Sequence, residues 1–321
     1  MKKALLFLCA LPLFTACQRG DERHQALSSG QINHISVIID DLLWNGEVGD
    51  TIRTKFASPV TGLPQEEPLF TINQYPLKLL EGFTTNTRSI IVIKTGEKKF
   101  EIDSRKSGAP VNIIRISGRN IPELLQMIEQ RAPQIVEIIK ATELREAQQR
   151  MDSSLLDIAP LKAKFGIALD IPTAYKIVRE GPKFTWLKRE IISGNTSLLI
   201  YELPMDALVP GPELVNNLTR IRDSIGAAYI HGTVPDSPMV TEGAYAPYIR
   251  ETTVAGHKAL ESKGTWELRN DFMSGPFINF AIRDPKRSRI LVLEGFCYAP
   301  SKEKRDLMHE LEAIIKTLKL D

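Results

Sequence analysis

Cysteine is scarce in this chain of 321 residues, which contains only Cys9, Cys17 and Cys297. Two of the three lie within the first seventeen residues, so the remainder has a single thiol and cannot form an internal disulfide. An exported protein without disulfides depends on its core, and a chain of this length can bury enough apolar surface to form one. Cys297 lies in the apolar run LVLEGFCYAP, where we expect it to pack as a small hydrophobic residue.

Neither sign of charge dominates, and the composition is not that of a multi-span membrane protein. The chain has 41 Lys and Arg against 39 Asp and Glu, a net charge of +2, so no nucleic-acid-binding surface is predicted. Hydrophobic residues make up 43% and charged residues 25% of the sequence, values typical of a packed soluble protein.

The motifs of common catalytic and metal sites are also missing. The sequence contains no G-x-S-x-G elbow, no H-E-x-x-H, no phosphate-binding glycine loop and no C-x-x-C. Its five histidines are scattered along the chain, a spacing that does not favour a metal site. We therefore predict no catalytic residue, no metal and no cofactor.

The N-terminus has the pattern of an export signal. Lys2 and Lys3 precede an apolar run of eleven residues, Ala4 to Phe14, and then Thr15-Ala16-Cys17. This run is too short for a membrane helix, which needs about 20 residues, but it has the length of a signal peptide. The segment resembles a bacterial lipoprotein signal, which implies a signal peptide at 1–16, acylation of Cys17 (palmitate among the chains) and a flexible tether at 17–33. An ordinary secretory signal with a chance cysteine is the alternative.

The residue after Cys17 is Gln18. By resemblance to lipoprotein sorting, Gln18 favours the outer membrane, with its periplasmic face expected rather than the cell surface. The membrane, reached through the N-terminal lipid, is then one predicted partner.

The order of strand-like and helix-like segments predicts an α+β protein with two domains, at 34–152 and 153–321, each a mainly antiparallel sheet packed with helices. A long amphipathic stretch at 121–151 ends the first domain, and Pro133 is expected to kink or split its helix. A helix at 302–318, with Leu307, Leu311 and Ile314 on one face, is expected to close the second.

Two family resemblances follow from particular segments. Residues 165–175, FGIALDIPTAY, make the second half resemble the PsbP/Mog1 type of fold. Blocks spread over the mature chain are similar to a Bacteroidota lipoprotein family classed only as a domain of unknown function, the 4837 type; they lie at 40–53, 59–70, 164–177, 184–190, 264–282 and 293–315. This resemblance implies an outer-membrane lipoprotein with two α+β units and supplies no catalytic residues.

One candidate site is an acidic cluster, in which four carboxylates occur within eleven residues beside Trp44 and Asn45; they are Asp40, Asp41, Glu47 and Asp50. Such carboxylates can cap a helix start, bind Ca²⁺ or Mg²⁺, or form an acid/base pair. Trp44 can stack on a sugar or a partner, or cover a domain edge.

The second candidate site is a cluster around Trp266, Arg269 and Asp271, residue types that are common at protein interfaces. The alternative is a strand, a tight turn and a strand, with Trp266 in the core and residues 269–271 in solvent.

These observations favour a non-enzymatic binding or assembly module of the cell envelope, whose partner would be an envelope protein or a glycan. One alternative is a glycan-directed envelope hydrolase using Asp40, Asp41 or Glu47, which requires two carboxyl groups converging in a cleft. The other is a carrier of a small ligand, which requires a mostly apolar pocket of hundreds of Å³.

Overall fold

The computed structural model describes residues 30–81, 85–105, 111–151 and 153–320. We call residues 30–151 the first half and residues 153–320 the second half. The elements of the first half are β1 (His34–Ile39), α1 (Asp41–Trp44), α2 (Glu47–Phe56), β2 (Thr71–Pro76), a 3₁₀ turn (Leu77–Leu79), β3 (Ser89–Thr95), β4 (Lys99–Ser104), β5 (Asn112–Gly118) and α3 (Ile121–Met151). Its strands form one sheet in the order β2-β1-β3-β5-β4.

The strands of this first sheet are mainly parallel. The α+β class is confirmed, but the expected mainly antiparallel pairing is wrong here: β1 pairs in parallel with β2 and β3, β3 pairs in parallel with β5, and β4–β5 is antiparallel. Parallel neighbours need a long crossover, and α1, α2 and a loop provide one between β1 and β2. Apolar side chains pack on both faces of β1, Ile35 and Val37 on one and Ile38 on the other, as is typical of parallel strands.

The helix α3 connects the cores of the two halves. It runs for 31 residues, and Pro133 lies inside it without splitting it. Leu124, Ile128 and Ile135 pack on the first sheet, whereas Ala147 and Met151 near its end belong to the core of the second half.

The second half is built around an eight-stranded antiparallel sheet. Its elements are α4 (Ala159–Phe165), β6 (Ile167–Ala168), β7 (Lys176–Gly181), β8 (Phe184–Ile191), β9 (Gly194–Pro204), α5 (Leu214–Tyr229), β10 (Met239–Thr241), β11 (Tyr248–Val254), β12 (His257–Leu268), β13 (Ser274–Asp284), a 3₁₀ turn (Pro285–Arg287), β14 (Arg289–Tyr298), α6 (Arg305–Lys316) and β15 (Lys319–Leu320). The sheet order is β10-β12-β13-β14-β9-β8-β7, with β11 paired to β12, and β15 pairs separately with β6. The mainly antiparallel prediction is confirmed for this half.

Both faces of the second sheet are covered by helices. The face bearing Ile278, Phe280 and Ile282 packs against α6, α4 and the end of α3, while the face bearing Phe277 and Ala281 packs against α5. The 16-residue α5 lies over one face and the 12-residue α6 over the other. Within the part of the chain that the structure describes, no helix combines the length and apolar character needed to cross a membrane.

A buried carboxylate joins the two halves at the start of α6. Glu67, in the loop before β2, accepts hydrogen bonds from the backbone N–H of Lys304 at 2.7 and 3.0 Å and from that of Arg305 at 2.8 Å. Since the first N–H groups of a helix have no partner within the helix, Glu67 caps α6 from the other half.

We expect Glu67→Ala to lower the free energy of unfolding by about 2 kcal/mol, the upper end for loss of a helix cap, because the cap is buried and charged. Urea unfolding followed by circular dichroism measures this loss. The matched control is Glu66→Ala, which removes an exposed carboxylate beside it. Equal stability of the two variants would show that Glu67 does not hold the start of α6.

Candidate functional site

The acidic cluster predicted from sequence lies on the surface, and its carboxylates have separate local partners. Asp40 accepts a hydrogen bond from the backbone N–H of Leu42 at 2.9 Å and caps α1. Asp41 accepts from Gln74 Nε2 at 3.1 Å, and Asp50 pairs with Arg53 at 2.7 Å.

The other polar members of the acidic cluster are also exposed. Glu47 begins α2, and Asn45 ends α1 with its backbone N–H bonded to the carbonyl of Asp41. Among the described residues, no three His, Cys, Asp or Glu side chains are grouped as a metal site would require. These contacts fit the capping interpretation, and a ligand-binding role for the acidic cluster stays a prediction.

Trp44 covers the edge of the first core. Its half-buried ring packs against that core, and the Arg53 guanidinium lies 4.5 Å from the ring centre. Gly49 allows α2 to approach it, because a Cβ at that position would lie 1.8 Å from the carbonyl oxygen of Trp44. The arrangement matches the domain-edge interpretation of this tryptophan.

Trp266 lies in the core of the second half, which corrects the expectation of a contact residue on the surface. Its side chain is 2% exposed, donates from Nε1 to the carbonyl of Cys297 at 3.3 Å and meets Phe296 edge-on. Strand alternation explains this position, since Trp266 and Leu268 point to the face under α5.

Arg269 and Asp271 lie outside the core, on the β12–β13 turn. Arg269 is exposed, and Asp271 accepts from the backbone N–H of Phe272 at 2.7 Å. The strand–turn–strand alternative therefore describes the second cluster.

Cys297 behaves as expected from its apolar surroundings. Its side chain is buried, and burial raises the pKa of its thiol to about 12. The group stays protonated at neutral pH and packs as a hydrophobic residue.

A groove of about 510 Å³ lies on the α5 face of the second sheet, beyond the start of that helix. Its floor comes from β12, β13 and β14 through Leu260, Ala281 and Ile290, and its wall from Leu208 and Leu214. We call this cavity the sheet groove. The volume falls within the roughly 300–1,000 Å³ of ligand sites in proteins.

Two cations lie side by side at the mouth of the sheet groove. The register pairs Ala259 with Ile282, so Lys258 on β12 is opposite Arg283 on β13. Both are exposed and line the groove, and neither forms an ion pair with any described carboxylate. Like charges directly opposite on neighbouring strands repel, so this pair is unfavourable without an anion.

One carboxylate also lines the mouth of the sheet groove. Glu251 on β11 is opposite Leu260 and therefore diagonal to Lys258. Two cations and one carboxylate leave the mouth with a net positive charge.

A buried polar cluster lies under α5, farther along the same strands. Glu294 on β14 accepts from Arg222 Nε at 3.0 Å and from Asn279 Nδ2 at 2.8 Å. Arg222 also donates to Thr241 Oγ1 at 3.0 Å, and its guanidinium lies 3.9 Å from the ring centre of Phe277. Burial raises the pKa of Tyr201, whose hydroxyl adjoins Asn279 at 3.4 Å. We call Arg222, Glu294, Asn279 and Tyr201 the α5 polar cluster.

Two family models match the chain. The family described as Domain of unknown function (DUF4837) matches residues 154–317, just over half of the chain. The chain belongs to the DUF4837 family. A second model, Domain of unknown function (DUF8532), matches residues 28–152. The family expected from the sequence blocks is thereby confirmed, whereas its Bacteroidota origin and lipid modification stay predictions.

Solved structures similar to this DUF4837 protein are distant. The Ran-binding protein Mog1p of Saccharomyces cerevisiae is 11% identical, and the match covers 49% of this chain and 92% of Mog1p with a TM-score of 0.33. LpqN, involved in cell envelope biogenesis of Mycobacterium tuberculosis, is 13% identical, with 48% and 82% covered and a TM-score of 0.29. At these TM-scores the likeness carries no argument about function. No curated protein matches the chain.

The sheet groove lies entirely within the DUF4837 segment, from Leu208 to Ile290. The acidic cluster around Trp44 lies in the segment matched by the other model. Sequence reasoning missed the groove, although strand alternation was a usable signal for which residues of β12 and β13 share one face. Strand alternation could not show that α5 leaves these residues of β12 and β13 uncovered.

Proposed function

We propose that this protein is a non-enzymatic binding module of the cell envelope that holds a small anionic amphiphile in the sheet groove. The observation that carries the proposal is an apolar groove of about 510 Å³ with two neighbouring, unpaired cations at its mouth. Of the functions considered from sequence, it favours the carrier of a small ligand.

The floor of the groove suits a hydrocarbon chain. The floor residues Leu260, Ala281 and Ile290 and the wall residues Leu208 and Leu214 line the groove with aliphatic carbon. Removing apolar surface from water is favourable by roughly 25 cal/mol per Å², so an alkyl chain laid along this floor stabilises the complex.

The mouth of the groove suits an anionic headgroup. Lys258 and Arg283 provide ammonium and guanidinium donors, and an anion between them would offset their mutual repulsion. The single carboxylate of Glu251 does not balance both charges. An amphiphile with a carboxylate or phosphate head therefore fits both parts of the site.

We further propose that Cys17 carries the lipid anchor and that the protein resides at the periplasmic face of the outer membrane. The support is the signal-like sequence MKKALLFLCALPLFTAC followed by Gln18. More than one acyl chain on Cys17 would hold the protein stably at a membrane. Labelling cells with an alkyne analogue of palmitate should tag the protein and not its Cys17→Ala variant, and an untagged parent protein would remove the anchor from the proposal.

Binding of dodecanoate to the mature chain carrying Cys17→Ala tests the groove, by displacement of a fluorescent fatty acid. We expect saturable binding by the parent protein. The double variant Lys258→Glu/Arg283→Glu should bind about tenfold or more weakly, because the carboxylate of dodecanoate loses two charged donors. Lys286→Glu, an exposed charge reversal that does not line the groove, is the matched control and should bind like the parent. No binding, or equal binding by both variants, would reject this site.

A further inference from the structure

A second cavity lies at the junction of the two halves, on the other face of the second sheet. It is a narrow cleft of about 60 Å³ between the 60–63 loop and α3 on one side and β12 and α6 on the other. Polar groups that line it include Lys140, Lys263, His309 and Glu312. We call it the junction cleft.

Lys140 is a half-buried amine without a partner of opposite charge. Among the described residues, no carboxylate lies within ion-pair distance of this amine and no group forms a hydrogen bond with it. Desolvation on burial lowers the pKa of Lys140, and the nearby cations Lys263 and Arg250 lower it further, whereas the carboxylates of Glu312 and Glu261 partly oppose this shift. The surroundings therefore disfavour the charged form of this amine. An anion bound beside it would stabilise that form.

His309 also lines the junction cleft, but its Nε2 atom is buried beneath the cleft surface and does not reach the cleft volume. This atom has no hydrogen-bond partner among the described residues. A buried polar atom without a partner costs about 1–3 kcal/mol, so most such atoms in folded proteins are satisfied by protein, water or an ion.

The Lys and Arg side chains that line the junction cleft differ in their partners. Glu261 pairs with Lys263 at 3.1 Å and with Arg250 at 2.6 Å, and Glu312 lies 3.7 Å from Lys263. Arg305, which also lines the cleft, pairs with Asp306 at 2.8 Å. Among the described residues, Lys140 is therefore the one Lys or Arg side chain lining the cleft that has no ion pair.

We propose that the junction cleft binds a small oxyanion, either a tetrahedral phosphate or sulfate or a carboxylate. In their charged form the ammonium groups of Lys140 and Lys263 donate hydrogen bonds and carry positive charge, so an acceptor with negative charge complements both. A volume of about 60 Å³ holds roughly four water molecules, which limits the ligand to a few heavy atoms.

The bound oxyanion would connect the two halves. Lys140 belongs to α3 of the first half, whereas Lys263 and His309 belong to β12 and α6 of the second. An anion held by Lys140 and Lys263 adds a second link between the halves beside the Glu67 cap, and binding to the folded state alone raises the melting temperature with ligand concentration.

Titration with sodium phosphate, sodium sulfate and sodium acetate at constant ionic strength tests this site by calorimetry. We expect saturable binding of at least one anion, weakened about tenfold by Lys140→Met because a charge-assisted hydrogen bond is lost. Stronger binding of phosphate and sulfate than of acetate would assign a tetrahedral ligand, and the reverse order a carboxylate. The control is Lys316→Met, which removes another partly buried amine whose pKa is also lowered by desolvation but which lies over Phe280 rather than in the cleft.

A second measurement uses the unaltered protein. The anion that binds should slow acylation of the Lys140 amine by an N-hydroxysuccinimide ester, detected by mass spectrometry, while acylation of Lys258 in the sheet groove stays unchanged. Absence of saturable binding by all three anions, or equal binding by Lys140→Met and the parent, would overturn the proposal. The variant Lys258→Glu/Arg283→Glu should keep this binding, so the outcome is independent of the sheet groove.

Discussion

Replacing Glu294 by alanine should lower the free energy of unfolding by about 3–5 kcal/mol, because it leaves the guanidinium of Arg222 buried without its counter-charge. Glu294 is 1% exposed and Arg222 4% exposed, so water cannot replace the lost carboxylate without opening the α5 layer. The donor groups of Asn279 and Arg222 would both lose an acceptor. Urea unfolding followed by tryptophan fluorescence measures the loss.

The double variant Arg222→Met/Glu294→Leu separates this charge effect from a packing effect. Removing both charges together with similar side-chain volume is expected to be far less destabilising than removing one. The Arg222–Glu294 pair would then act as a mutually dependent unit, with a coupling energy of about 0.5–3 kcal/mol. If the double variant is as unstable as the sum of the two single variants, the α5 polar cluster is not coupled in this way.

The second large effect is expected for Glu143 on α3. The variant Glu143→Ala should also lower the free energy of unfolding by about 3–5 kcal/mol. The Glu143 carboxylate is fully buried and accepts from Arg88 Nε at 2.9 Å, from Arg88 Nη2 at 2.5 Å and from the backbone N–H of Asn33 at 2.8 Å. Arg88 also donates to the carbonyls of Gly30 and Gln31, so Glu143 organises the chain that enters β1.

Thermal and urea unfolding of Glu143→Ala measure the effect, with Glu137→Ala, an exposed carboxylate of the same helix, as the control. We further expect faster proteolysis of the 30–33 segment in Glu143→Ala, because Asn33 and Arg88 lose their common acceptor. A variant as stable and as protease-resistant as the control would contradict the role of Glu143.

Helices and buried segments were the most predictable features. The apolar face Leu307, Leu311 and Ile314 predicted the closing helix, which the structure places at Arg305–Lys316 with Leu311 and Ile314 in the core. Cys297 was correctly expected inside because most of the residues around it in its own strand are apolar. In each case the evidence is the spacing of apolar residues within one segment. Helix and strand geometry place residues at that spacing on one face, which is then buried.

Strand direction in the first half was not predictable in the same way. The periodicity of β1 shows that it is buried but is the same for a parallel and an antiparallel neighbour. The run ISVII at 35–39, apolar except for Ser36, was a signal in the sequence for a strand buried on both faces, as parallel strands are, but it does not name the neighbouring strands. The connection from β1 to β2 runs through α1 and α2 and is long enough for the crossover that parallel strands require.

The α+β class, the buried position of Cys297, most helices and strands and the family follow from patterns along the chain. The packing of distant elements was needed to show that Trp266 is inside, that Lys258 is opposite Arg283 at the mouth of a groove, and that Lys140 and Lys263 line the same cleft. The physical reason is distance along the chain. Which face of an element is apolar follows from neighbours a few residues away, whereas a site depends on which distant elements bury those faces against each other and where their coverage ends.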